Sequence, residues 1–567
     1  MTAAACSAAS DTVPPRVEKP YSTGDFSIDD YRPIKVICIG AGFSGILSAI
    51  RFQQKVSNLD FKLYEKADGV GGTWRANRYP GIACDVPSHC SQWSGLFPTG
   101  SEILANIERI VDKYKIRKYM NFQHELTHAK WDASAGQWTV RIRHGNQEFE
   151  DLCDVLLLCV GSLSRWHWPE VEDLKEFGGT LVHSAQWDVA DGGASWADKT
   201  VGIIGNGSSG IQIATALHPK IKKMVTYARA KTWISPPFAT KPLMTYLERD
   251  LTDTNLTLSD MDREKLKDPK RFKSFRHAIE HDMNAFHALS ISGSEMQKQT
   301  QKALEENMRR CTAAKPGLLQ KMLPTWSVFC RRLTPCEGYL EALCADNTTY
   351  ETTPIKRVTR AGIELADGRV DELDVLVCAT GFDGSFHYPF DVVGRGGITL
   401  NQRWSPYAEA YLSLAVDGFP NMFLVYGPGS GLNTASILVL MESQVQYIVK
   451  AVQKLQAERL KSMEPKKAAT ADWTEHRRAY FPKTVYVEHC NSWYKTPDGT
   501  VIGLWPGSAL HAIRTLANSR WEDYEYESID KTRNRLHWLG GGNTKNEETT
   551  GDLAWYLDAP DVPPIPE

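Results

Sequence analysis

Ile34-Lys35-Val36-Ile37-Cys38-Ile39-Gly40-Ala41-Gly42-Phe43-Ser44-Gly45 is the stretch on which the fold turns. Its first six residues read as a buried strand, and the ILSAIRF that follows Gly45 reads as a helix. The GxGxxG therefore sits at a strand–turn–helix junction. There the first glycine permits the tight bend, the second lets a pyrophosphate approach the backbone, and the third lets helix pack on strand. The helix N-terminus adds unpaired N–H groups and the positive end of its dipole. Glu65, closing the next apolar strand Phe61–Glu65, is placed to accept hydrogen bonds from ribose hydroxyls.

Further along, the strand Val201–Ile204 runs into Gly205-Asn206-Gly207-Ser208-Ser209-Gly210 and then IQIATAL, a second copy of the same device. The strand Met224–Tyr227 leads here to Arg229 in place of an acid. A guanidinium at that position suits a 2′-phosphate, so the second cradle reads as a site for NADPH. Chance would produce such a glycine pattern about 0.2 times in a chain with 42 glycines. Two copies, each between strand and helix, are not coincidence. They imply electrons passing from one nucleotide to another, with FAD in the first cradle beside Gly71-Gly72-Thr73-Trp74.

Outward from the cradles, the 567 residues are 42% hydrophobic and 23% charged with net charge −3, which supports large cores and argues against nucleic acid or an anionic membrane as partner. The uncharged runs Val36–Ile50 and Gly418–Met441 are broken by glycine or proline, so no membrane span is expected. Met1–Ser10 has no secretory character. Twelve cysteines never form CxxC, and Cys38, Cys84, Cys153, Cys159 and Cys378 lie in or beside apolar runs as small buried hydrophobes. This pattern predicts unpaired thiols, no metal site and a cytoplasmic compartment. Further strands are expected at Val155–Val160, Val375–Cys378 and Met422–Tyr426, and a charged helical insertion at about 245–320.

A flavin reduced by NADPH can pass electrons to a disulfide or to oxygen, and the missing CxxC favours oxygen. Phe177-Gly178-Gly179-Thr180-Leu181-Val182-His183-Ser184-Ala185-Gln186-Trp187-Asp188 fits FxGxxxHxxxW(P/D) just ahead of the second cradle. Those four spaced residues arise by chance on the order of once in a thousand such chains. Gly71–Trp74 is followed by Asn77-Arg78-Tyr79-Pro80-Gly81 and Cys84-Asp85. Later come Cys330-Arg331-Arg332, Ala379-Thr380-Gly381-Phe382-Asp383, Gly427–Gly431 and Cys490-Asn491-Ser492-Trp493-Tyr494. From about Ile34 to Glu527 the chain resembles the Baeyer–Villiger monooxygenases. Related flavin monooxygenases that oxidise nitrogen or sulfur end the fingerprint in Tyr or Phe, where Trp187 stands here.

The resemblance implies an α/β fold of two interleaved three-layer, Rossmann-like domains. A leader (1–30) precedes an FAD domain in two parts (31–165 and 381–540), an NADPH domain (166–380) holds the insertion, and a tail (541–567) follows. It implies FAD, NADPH and O2, with a small-molecule ketone as partner. On that resemblance an anionic flavin C4a-peroxide would add to the ketone, and an alkyl shift would give an ester or lactone. Arg332 would stabilise that negative charge, with Asp85 as its carboxylate partner near the flavin and Arg331 as rival by one position. Tyr79, Thr73 and Trp74 would lie at the flavin, and Trp493 at the nicotinamide or substrate channel, with Tyr494 there or in the core. His183 and Trp187 would couple cofactor binding to domain motion and not transfer protons. The chain departs from the pattern at Cys159-Val160-Gly161 (usually ATG), at Ala228-Arg229-Ala230, where Lys231 is expected to compensate a lost hydroxyl, at Arg75-Ala76 and at Leu333. The alternative reading is oxidation of nitrogen or sulfur, which needs no Arg332; a third is an NADPH oxidase releasing only peroxide.

Overall fold

Two parallel five-stranded sheets organise the chain, each grown from one of the glycine turns. The structure is a computed structural model and describes residues 20–89, 93–238, 240–249, 256–532 and 534–557. The first sheet runs Met422–Leu424, Val155–Leu158, Ile34–Ile39, Leu59–Glu65, Met120–Phe122, all parallel. Val155–Leu158 and Met422–Leu424 are buried at every position, as expected of a parallel sheet covered on both faces. Helix α1 (Phe43–Lys55) packs on this sheet beside the long helix Ile437–Ala457.

The second sheet runs Thr348–Glu351, Lys223–Tyr227, Thr200–Ile204, Val375–Cys378, Thr180–His183, again all parallel. Its glycine turn opens helix α2 (Ser208–Leu217). The expected strands at 34–39 and 375–378 hold residue for residue, while that at 422–426 stops at Leu424. Tyr426 takes a positive φ of 66°, which ends the extended run.

A four-stranded sheet absent from the sequence reading packs beside the first. It joins Asp391–Val393, His124–Asp132, Gln137–His144 and Gln147–Cys153. Its period-2 signal is plain in Gln137–His144: Trp138, Val140 and Ile142 are buried, while Arg141 and Arg143 face solvent.

The insertion is helical: Thr240–Leu247, Asp260–Lys265, Pro269–Ala285, Glu295–Cys311 and Leu318–Met322. Ser259, Asp268 and Ser294 cap three of these helices through their side chains, and Pro269 takes the first helical position, where no N–H is needed. Part of the insertion closes its own core through Leu243, Leu247, Phe275 and Ile279 against Leu96.

Of the expected leader, 1–19 lie outside the described residues, while 20–30 lie against the tail. Ile28 N donates to the Asn543 carbonyl (3.0 Å) and Gly541 N to the Phe26 carbonyl (2.9 Å). The five cysteines read as buried hydrophobes carry free thiols, Cys84 only partly buried. The expectation of unpaired thiols fails at Cys330 and Cys490, which form a disulfide. They are 160 residues apart, and only the fold brings them together. No helix among the described residues is long and apolar enough to cross a membrane.

Candidate active site

The two glycine turns are built alike. Gly40 and Gly205 take φ of +106° and +113°, open to glycine and strained for other residues. A methyl at Gly45 would overlap the Gly40 carbonyl oxygen, and one at Gly210 the Gly205 carbonyl oxygen, so the third glycine of each copy allows helix to touch turn. The middle glycines differ. A Cβ at Gly42 would meet only Gly72 Cα at 3.6 Å, and one at Gly207 only Arg331 Nη2 at 3.2 Å. Both face open space in front of a helix N-terminus, which is what a pyrophosphate needs.

That space is a single cleft of about 2600 Å³ between the two sheets. A site for one small molecule occupies roughly 300–1,000 Å³. The larger volume fits two dinucleotides and a substrate. Gly40, Gly42, Glu65, Gly72, Thr73, Trp74, Tyr79, Asp85, Gly205, Gly207, Ser208, Ser209, Arg229, Arg331, Arg332 and Trp493 all line it. Gly45 and Gly210 stand behind their turns.

Around the first cradle, Glu65 accepts from Ala41 N (2.6 Å) and Ala67 N (2.8 Å), bracing the turn at both ends. Gly72, at φ +53°, lays its backbone against that of Gly42, and Thr73 and Trp74 follow it on the cleft wall. Around the second, Arg229 shares its wall with Thr352 and Thr353. Lys231 does not join Arg229 as expected: its ammonium donates to the Gln320 carbonyl (2.9 Å) and does not line the cleft.

Beside the second cradle lies an ion pair. Arg332 Nη2 donates to Asp85 Oδ1 at 2.6 Å. Asp85 beside it raises the already high pKa of the guanidinium, so Arg332 is a fixed cation opening on the cleft. Arg331 goes elsewhere. It lies at Gly207 in the second cradle, among Tyr339, Tyr350 and Tyr494, where burial lowers its pKa. The two rivals thus occupy different places.

The segment bearing these arginines is fastened to the C-terminal loop. Ser327 N donates to Glu488 Oε2 (2.7 Å), Tyr494 donates its hydroxyl to the Cys330 carbonyl, and the Cys330–Cys490 bond joins the two. Tyr494 is fully buried and belongs to the core, whereas Trp493 packs on Gly431 and Gly503 and lines the cleft. Gly427–Gly431 do not line the cleft themselves; Tyr426 and Leu432 on either side do.

His183 is buried and stacks on Trp166 with ring centroids 4.2 Å apart. Its Nδ1 accepts from Ala185 N (3.1 Å), which leaves Nε2–H to face Thr380 Oγ1 (3.2 Å). Burial pushes its pKa down to about 4, so it is neutral at ordinary pH and links the C-terminal ends of two neighbouring strands of the second sheet. Two polar groups escaped the sequence reading. Thr334 Oγ1 lies 2.9 Å from Ser208 Oγ, and Gln212 is a buried amide on α2. No short motif marks either.

Comparison with known proteins agrees with this geometry. A flavin-binding monooxygenase-like family profile matches residues 85–242, and an NAD(P)-binding Rossmann-like profile matches 38–105. The chain is 35% identical to the FAD-binding monooxygenase tazF of Aspergillus terreus, over 93% of this chain and 95% of that one. It is 31% identical to a Baeyer–Villiger monooxygenase of Pseudomonas aeruginosa, over 84% and 88%. A crystal structure of cyclohexanone monooxygenase from Rhodococcus sp. Phi1 bound to NADP+ superposes with a TM-score of 0.74 at 24% identity, covering 88% of this chain and all of that one, a likeness of fold. With two cradles facing one cleft and relatives matched along nearly its whole length, the chain belongs to the Baeyer–Villiger monooxygenases, enzymes that bind FAD and use NADPH and O2 to set an oxygen atom beside a carbonyl.

Proposed function

We propose that the substrate is a ketone, converted to an ester or lactone, and that Arg332 carries the selectivity for this outcome. The observation behind the reading is the Arg332–Asp85 pair, which lines the cleft onto which both cradles open, with Asp85 beside Ser208 of the second cradle. Bound FAD would supply the activated dioxygen, with electrons from NADPH. The chain's own residues do the rest. The first cradle and Glu65 hold one nucleotide, and the second cradle with Arg229 holds the other. Arg332 places a permanent positive charge where negative charge develops on oxygen as the carbonyl is attacked. A charge fixed in position beside the reacting oxygen acts more strongly than a mobile one in bulk water. Asp85 holds the guanidinium in place, and as a half-buried acid it offsets the cost of burying a cation.

The test is product analysis. Purified, FAD-loaded protein is given NADPH with a panel of cyclic and linear ketones, and separately a thioether. An ester or lactone formed in step with NADPH consumption is expected. Sulfoxide without any ester, or hydrogen peroxide equal to NADPH consumed for every ketone, overturns the reading.

Arg331 has a separate task. Half-buried at Gly207 in the second cradle, it offers its charge to the phosphates there. Arg331→Ala is expected to raise the KM for NADPH by roughly 10-fold or more, the loss of one charge-assisted contact, with kcat changed less. Steady-state kinetics over a range of NADPH concentrations check this.

A further inference from the structure

The segment Tyr79–Asp85 crosses the cleft and lies along α2, the helix whose first turn is the second cradle. Ser209 Oγ donates to the Tyr79 hydroxyl (3.2 Å), which donates to Gln212 Oε1 (3.0 Å). Gln212 Nε2 donates to the Ala83 carbonyl (3.1 Å). A Cβ at Gly81 would fall 2.6 Å from the Gln212 carbonyl oxygen, so the segment's backbone touches that of the helix. At its end, Asp85 Oδ2 accepts from Ser208 Oγ (3.4 Å) while Oδ1 holds Arg332.

Gln212 is the odd member of this contact. It stands buried between Ile211 and Ile213 in a helix whose other buried side chains are apolar. A buried amide is costly unless its bonds are made, and both halves of this one are committed to the same passing segment, the nitrogen at Ala83, just ahead of Asp85. The segment turns at Pro80-Gly81 and bridges Thr99 at Ala83, where a slip of one residue, about 3.3 Å of extended chain, would carry Asp85 out of reach of Arg332.

We propose that Gln212 is a positioning residue: its amide sets the register of Tyr79–Asp85 on α2, and so the place of Asp85 relative to Arg332 and the second cradle. The proposal rests on the ketone-oxidising reading above. It makes the nicotinamide cradle and the ion pair parts of one rigid unit, although they come from stretches of chain far apart in sequence.

The experiment measures ester formed per NADPH oxidised by the FAD-loaded enzyme. Gln212→Leu keeps nearly the same volume and deletes both bonds. Coupling is expected to fall roughly 10-fold, the scale of a sub-ångström to 1 Å misplacement, with hydrogen peroxide taking up the difference. The KM for NADPH should stay within about 2-fold, whereas damage to the cradle itself would raise it. In an Asp85→Asn background, with residual ester followed by mass spectrometry, the same substitution should change coupling by less than about 1.5-fold, because it acts through Asp85. Gln212→Glu, which can accept from Tyr79 but not donate to Ala83, should fall between, and it decides the question on the same terms if the leucine variant holds no FAD. Unchanged coupling in the variant, or an equal loss in both backgrounds, overturns the proposal. A wild-type enzyme that makes no ester from any ketone counts instead against the reading of the reaction.

Discussion

Arg332→Ala is expected to abolish ester formation while leaving NADPH oxidation running, so that reducing power emerges as hydrogen peroxide. The cation lines the cleft, 2.6 Å from Asp85, and lies outside the strands of both five-stranded sheets. Its loss should therefore spare the fold and the bound flavin. Removing one preorganised donor from a site of developing charge costs about 10²–10³ in rate, and a full charge belongs at the upper end. Arg332→Lys keeps the charge but loses the fork of donors and should recover only part of the activity. Gas chromatography of product beside a peroxide assay reads both quantities. An alanine variant that forms ester at the wild-type rate would remove Arg332 from the mechanism.

The second large effect is expected at the glycine turns, where a single methyl group should act on one nucleotide and not the other. At Gly45 it would overlap the Gly40 carbonyl oxygen, and α1 would have to move off the turn. Relief of such overpacking costs about 1–3 kcal/mol, and it would fall on the geometry that receives the pyrophosphate. Gly45→Ala should thus be purified largely colourless, with FAD affinity lower by roughly 5–150-fold, the same energy expressed as a binding constant. Gly210→Ala makes the equivalent overlap at Gly205 and should stay yellow while the KM for NADPH rises over the same range. Flavin absorbance and NADPH titration separate the two. A Gly210→Ala protein that loses flavin, or a Gly45→Ala protein that keeps it, would reverse the assignment of the cradles.

What could be read in the sequence was whatever a short stretch decides by itself. A glycine turn is such a stretch, because the bend, the close helix and the open N–H groups all depend on residues within six positions; both copies emerged with the expected geometry. Asp85 and Arg332 were legible only through resemblance, since nothing local says that residues 85 and 332 will meet. The neighbouring Arg331 shows the limit: two adjacent arginines look interchangeable in sequence, yet the turn sends one to Asp85 and the other to Gly207. Lys231 was misjudged for a related reason, because an ammonium near Arg229 in sequence found a backbone carbonyl at Gln320 first. The Cys330–Cys490 bond and the Gln212 amide depend wholly on long-range packing. The strands between 124 and 153 differ again: Gln137–His144 alternates buried and open positions, so it carries no apolar run although its period is plain in the sequence.

The order of strands in the first sheet has a consequence for how the enzyme is made. Val155–Leu158 is flanked on one side by Ile34–Ile39 and on the other by Met422–Leu424. Its outer edge therefore stays bare while the intervening chain, the whole second sheet included, leaves the ribosome. At about 5–20 residues per second that exposure lasts on the order of 10–50 s. An open, apolar strand edge is the usual seed of aggregation. During synthesis the nascent polypeptide thus depends on chaperones, or on early folding of its middle, until the last strand docks and the flavin pocket can close.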